Sequence, residues 1–187
     1  MEAPQSIEDF SGAILTAGTP SLVLTAPPGS HPRPGTLEKN TILDKTTSLA
    51  DHNGAPLEPN RLLLLQGLSL LWHDRWDDAH DIAQSREGER DFDLLHAILH
   101  RREGDFANSD YWFRSVGKHP CYPILERRLA SAPIGETRDI LIPLGKWSPA
   151  AFVAEVRKNA RGSSEPEPLI RVQAEEFHAL AEWLLNA

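Results

Sequence analysis

From residue 60 to residue 117 apolar positions crowd together, and turn-forming residues recur at short intervals. The first segment carries Leu62, Leu63, Leu64, Leu65, Leu68, Leu70, Leu71 and Trp72, which makes a helix over 60–73 apolar on nearly every side. A helix of that kind is buried rather than amphipathic. Asn60 is placed to cap it. Asp74 is placed to cap a second helix over 75–85, whose first turn bears Asp77 and Asp78, the charge sign a helix N-terminus favours. Asp91 caps a third helix ending at Gly104, a residue suited to the left-handed position that stops a helix. Asp105 caps a fourth, which ends at Gly117 before Pro120.

Beyond Pro120 the pattern predicts a short helix over 124–132 and an extended or strand-like stretch over 138–144. Ser148 followed by Pro149 is a good start for a helix reaching about residue 160, with Gly162 past its end. Residues 163–168 form an acidic, proline-bearing linker. A closing amphipathic helix over 169–185 places Phe177, Leu180, Ala181, Leu184 and Leu185 on one side. The N-terminal part reads differently. Eight of the fifteen prolines fall within residues 1–59, and the run from Pro27 to Gly35 is incompatible with helix or interior strand. The expectation is an irregular N-terminal arm over 1–59, with a short strand or extended piece over 21–25 and a short helix over 42–50. An α-helical domain follows over 60–187.

A shift of 30 residues lays Gly67 on Ala97, Trp76 on Phe106, Asp78 on Asn108, Ala79 on Ser109 and Ile82 on Trp112. Small residues twelve apart, with an aromatic just after the turn, allow the two helices of a hairpin to approach closely. This pattern resembles the tetratricopeptide repeat, a helix–turn–helix unit that stacks into protein-binding solenoids. The resemblance assigns Gly67 and Ala79, then Ala97 and Ser109, to that repeat's two small positions, Phe113 to its later aromatic and Gly104-Asp105-Phe106 to its turn. It departs in period, which is 30 residues rather than 34, and in having Gln66 and His96 where leucine is usual. The stretch 96–120 is also similar to the centre of a family of small helical proteins, a similarity that implies no activity. The fold class expected is all-α: two antiparallel helical hairpins, extra C-terminal helices and the irregular arm.

Composition narrows the partners. The 187 residues carry 19 Lys and Arg against 27 Asp and Glu, a formal net charge of −8. That balance argues against nucleic acid, which is held by clustered cations. The longest apolar run, 62–72, is about half of what a membrane helix needs, so no membrane partner is expected. The single cysteine, Cys121, excludes an intrachain disulfide and a cysteine-based zinc site. With an acidic N-terminus unlike a secretion signal, the chain reads as soluble and cytoplasmic.

The candidate chemistry centres on the third helix. His96, His100 and Glu103 lie within about 60° of one another at 100° per residue, so all three share one stripe. Two histidines four apart can point at one metal ion, and a carboxylate a turn later can add a third ligand. His80 on the second helix approaches the same stripe if the helices pack as hairpins. A divalent zinc or iron ion is therefore the possible cofactor; no other is expected. Ala97 stands where a zincin needs its glutamate base. The competing reading keeps His96 in the core, bonded to a backbone carbonyl or to Asp110, with Glu103 paired to Arg101, Arg102 or Arg114.

Other motifs are weaker. His52, the pair His80-Asp81 and Asp139 follow the order of HD-type metal phosphohydrolases, yet Asp81 points about 100° away from His80. Cys121 has His119 near it in sequence but sits in a stiff, proline-flanked stretch. Glycine-rich phosphate loops and the Gly-x-Ser-x-Gly elbow are absent from the sequence. Arg101 and Arg102, with Arg114, Lys118, Tyr111 and Trp112 nearby, form the one basic cluster. Guanidinium forks of this kind hold carboxylate or phosphate. The leading expectation is a non-catalytic helical binding module that holds a peptide, a protein or an acidic small molecule at Arg101, Arg102, Trp112 and Arg114. The alternatives are a metal-dependent, hydrolase-type enzyme built on His80, His96, His100 and Glu103, and a structural subunit of a complex.

Overall fold

The computed structural model describes residues 7–15, 18–22, 35–51, 54–160, 162 and 164–186. Among them are ten α-helices, one short 3-10 turn and no strand. The helices are α1 (Ile7–Ala13), α2 (Lys39–Thr47), α3 (Pro59–Trp72), α4 (Trp76–Gln84), α5 (Arg90–Glu103), α6 (Phe106–Val116), α7 (Tyr122–Ser131), α8 (Thr137–Leu141), α9 (Pro149–Asn159) and α10 (Glu167–Asn186). The fold is all-α, and no helix among the described residues is long and apolar enough to cross a membrane.

Local chemistry explains most boundaries. At α6 the Asp105 carboxylate accepts the Asn108 N–H at 3.1 Å, the cap expected of it. At α9 the Ser148 hydroxyl accepts the Ala151 N–H at 3.2 Å, with Pro149 in the first turn. Gly104 closes α5 at φ 90°, where a Cβ would be strained. Three expected caps are displaced. The α3 helix starts one residue early because Pro59 can occupy the first turn and Glu58 accepts from the N–H groups of Asn60 and Arg61. Asp91 lies inside α5, its carboxylate 2.6 Å from His119 Nε2. Asp74 stands outside α4 at φ 59°, its carboxylate 2.6 Å from Arg102 Nη2. A buried guanidinium is a stronger partner for a carboxylate than a helix N–H.

The extended stretch expected over 138–144 is instead α8 followed by the 3-10 turn Pro143–Gly145. Its side chains do not alternate between two faces: Leu141 is buried, while Asp139 and Ile140 before it and Pro143 and Leu144 after it are all exposed. Among the described residues before Pro59 there are two helices where one was expected. Of the piece expected over 21–25, Ser21 and Leu22 are described and are not strand; residues 23–25 and most of the proline-rich run lie outside the described residues.

Two apolar clusters fill the interior. The larger joins Phe10, Ile14 and Ile42 to Leu65, Leu68, Leu71, Leu95, Ile98, Phe177, Leu180 and Leu184. The smaller gathers Leu22, Leu125, Leu129, Leu141, Trp147, Phe152, Val156 and Val172. Helix α10 contributes to both. Each such side chain contributes roughly 1.5–3 kcal/mol when fully buried, so Phe10, Ile14, Leu22 and Ile42 are tied to the rest by the same force that holds the helices together.

Polar clasps add direction to that tie. His73 Nδ1 accepts the Leu37 N–H at 3.2 Å, so its Nε2 is the donor to Ile14 O at 2.6 Å. The Gln173 amide donates to Pro20 O at 2.8 Å and Ser21 O at 3.0 Å, and Glu165 accepts the Leu22 N–H at 2.8 Å.

Helix α5 packs against α3, α4 and α6. Gly67 is what lets α3 come close: a Cβ there would lie 2.7 Å from Leu95 Cδ2 and 3.0 Å from Ile82 Cγ2. At the α5–α6 crossing the Ser109 hydroxyl donates to Ala97 O at 2.8 Å. These contacts fix the side of α5 that faces α4 and α6.

Candidate functional site

That side of α5 holds the histidines. His96 and His100, one turn apart on α5, meet His80 of α4, and one ring nitrogen from each lies within 4.8 Å of the others. His80 Nε2 and His96 Nε2 are 3.2 Å apart. Aromatic rings hold the group from outside. Trp76, one turn before His80, stacks on it at 4.6 Å and an interplanar angle of 11°. Trp112 of α6 stacks on His96 at 4.3 Å and 22°. His96 and His100 also stack on each other at 4.7 Å. His96 and His100 are buried, while His80 is partly open to solvent.

Burial fixes the charge state. Burial first, then the neighbouring His100 and His80, pushes His96 down to about 4. Burial, then His100, lowers His80 as well. Both imidazoles are therefore neutral near pH 7, with lone pairs free for a hydrogen bond or a metal. The 3.2 Å contact between two Nε2 atoms needs one donor and one acceptor, so the pair takes up a single proton there. His96 Nδ1 is buried with no hydrogen-bond partner among the described residues. An unsatisfied buried nitrogen costs about 1–3 kcal/mol, which packing alone leaves unexplained.

Glu103 does not join the three ligand atoms. Its Oε2 lies 2.8 Å from His100 Nδ1, and Asn108 Nδ2 lies 3.0 Å from the other nitrogen of the same ring. The alternative partners expected for these residues are not used. Asp110 pairs with Arg157 at 3.1 Å rather than with His96, and His96 bonds a histidine rather than a carbonyl. Asn108 was not anticipated. Its signal was its spacing of four from Trp112, which places both on one face of α6.

The basic cluster comes apart. Arg101 and Arg102, expected on the wall of a groove, are both fully buried. Arg101 makes two bonds to the Glu176 carboxylate, at 3.0 and 2.5 Å, and lies 4.2 Å over the Phe152 ring. Arg102 binds Asp74, Leu71 O and Ser21 O. Arg114 is exposed, its Nε donating to Asp110 O at 2.8 Å. The reason is length: a guanidinium on a long stem reaches across the core to a carboxylate that the local sequence does not contain.

The remaining motifs carry no site. Asp81 and Asp139 are exposed and neither belongs to the histidine group, while His52 lies outside the described residues. Cys121 is buried, and burial pushes its thiol well up. His119 cannot serve it as a base, because its Nδ1 accepts the Cys121 N–H at 3.1 Å and its Nε2 faces Asp91.

Compared with known protein families, curated proteins and solved structures, the chain matches none.

Proposed function

We propose that this chain binds one divalent transition-metal ion, zinc by preference, through His80, His96 and His100, and uses the open fourth position for hydrolysis. The observation that carries this reading is the convergence of three imidazole nitrogens within 4.8 Å from two helices. Two nitrogens on a tetrahedral zinc ion stand about 3.3 Å apart, close to the His80–His96 spacing. Imidazole ligands suit zinc, copper, nickel and iron alike; with the Glu103 carboxylate on His100, a two-histidine-one-carboxylate iron centre fits less well. Three protein ligands leave room for a water whose pKa a zinc ion lowers to about 7, and His80 is the ligand on the solvent side.

The pairs α3–α4 and α5–α6 are read as two tetratricopeptide-like hairpins, a reading supported by the close approach at Gly67 and the Ser109–Ala97 bond. A metal ion held by α4 and α5 would join the two. Capture of an acidic ligand at Arg101 and Arg102 loses its support with both guanidiniums in the core. A docking subunit keeps one favourable observation, the fully exposed Leu144 beside half-exposed Ile140.

The test is elemental analysis of untagged protein prepared without chelators, beside His96→Ala and His100→Ala. About one metal ion per chain in the wild type and none in the variants is expected. Zinc at about 100 times its Kd adds about 2.7 kcal/mol to stability, a thermal shift of several degrees. Metal-free wild-type protein that zinc does not stabilise would sink the proposal.

A further inference from the structure

We infer that Glu103 and Asn108 are the positioning residues of this centre: Glu103 selects Nε2 of His100 as the metal ligand, and Asn108 is the cap that leaves when metal arrives. The inference rests on the metal reading above and concerns what His100 does before and during binding.

Among the described residues, His100 is the one histidine of the three with a hydrogen-bond partner on each ring nitrogen. Nδ1 faces a carboxylate oxygen at 2.8 Å, and Nε2 faces an amide nitrogen at 3.0 Å. A carboxylate accepts and an amide nitrogen donates, so the two partners agree on one tautomer: Nδ1 carries the proton and Nε2 the lone pair. That tautomer presents Nε2 to a metal. A carboxylate on the far nitrogen of a ligand histidine fixes its ring and raises its basicity, a recurring arrangement at metal centres.

Both positions are occupied, so a metal must displace one partner. The bond to the carboxylate is charge-assisted and the bond from the amide is neutral, and the neutral bond is the weaker by roughly half. Asn108 is therefore the group that yields. It is partly exposed on α6, outside the pair of helices that carry the ligands, and can turn to water without moving them.

The experiment begins with the metal-free 187-residue chain and long-range proton–nitrogen NMR of its histidine rings. His100 is expected as the Nδ1–H tautomer in the wild type and as a mixture in Glu103→Ala. A wild-type His100 protonated at Nε2 overturns the inference outright. Zinc affinity is then measured by competition with a chelating dye. Glu103→Ala is expected to bind about 10- to 100-fold more weakly. Glu103→Gln, which keeps an acceptor of the same shape, falls between it and the wild type and guards against a folding defect. Asn108→Ala is expected to bind about fivefold more tightly, because one modest hydrogen bond no longer competes. If the wild type binds zinc and both Glu103→Ala and Asn108→Ala bind it equally well, this inference fails while the metal centre stands. If the wild type binds no zinc, both fail.

Discussion

His80 and His96 meet nitrogen to nitrogen, Nε2 to Nε2 at 3.2 Å, from helices whose sequence positions are 16 apart. Neither ring has a reason of its own to face the other. Two donors would repel, and two lone pairs would repel, so the contact stands only with one proton between them or a cation in its place. The Trp76 and Trp112 rings stacked on their outer faces leave each imidazole little freedom to rotate away.

Arg101 and Glu176 form a pair with side-chain exposures of 0% and 6%. Removing one partner of such a pair strands a charge in the core, at a cost of about 3–5 kcal/mol. Arg101→Met and Glu176→Leu are each expected to lower urea-unfolding stability by that order. The double variant should recover most of the loss. Single variants within about 0.5 kcal/mol of the wild type would show the pair to be dispensable.

Glu175 gives the chain a specific acid sensitivity. The His178 ring and the Arg128 guanidinium beside it hold its carboxyl down to about 2, against an ordinary value of 4.5. A carboxyl lowered on folding stabilises the native state fully above its unfolded pKa, and that contribution is lost as pH falls toward the folded value. By pH 3 about 2 kcal/mol is gone. Wild type should therefore lose about 2 kcal/mol more than Glu175→Gln between pH 6 and pH 3. Equal losses in the two proteins would remove Glu175 as the cause.

Gly67→Ala should destabilise, although alanine is the better helix former by about 1 kcal/mol. The added methyl meets Leu95 at 2.7 Å and Ile82 at 3.0 Å, and Leu95 is fully buried with nowhere to retreat. Overpacking of this kind costs about 1–3 kcal/mol, so a net loss of about 1 kcal/mol and a melting temperature lower by a few degrees are expected. A rise in melting temperature would mean that α3 and α5 have slack at this crossing.

Cys121 should resist thiol reagents in the folded protein. Its side chain is buried, and its thiol ionises only far above neutrality. Labelling with a chromogenic disulfide at pH 8 is expected to be at least about a hundredfold slower than in urea. Native labelling at the unfolded rate would reopen the question of a reactive thiol.

The central helices were legible because their ends are written in single residues: Gly104 stops α5, Asp105 caps α6 and Ser148 starts α9. Two of the three histidines were legible for the same kind of reason, since a spacing of four puts His96 and His100 on one stripe. Placing His80 there required knowing how α4 packs on α5. The arginines were not legible. Arg101 finds its carboxylate 75 residues away and Arg102 finds a carbonyl 81 residues away, and no local pattern reports such partners. Asp74 and Asp91 looked like helix caps for the same reason. Their true partners, Arg102 and His119, each lie 28 positions on.

The clasp on residues 20–22 also sets an order of events in time. Pro20 is held by a side chain 153 positions later in the chain, and Leu22 by one 143 positions later. At ribosomal speeds of about 5–20 residues per second, the early segment waits roughly 8–30 s for the residues that fasten it. Throughout that interval Leu22 has neither Glu165 to accept its N–H nor Val172 of its apolar cluster, and a nascent chain in this condition exposes apolar surface. Residues 20–22 are thus fastened in part by groups made 143 to 153 positions after them.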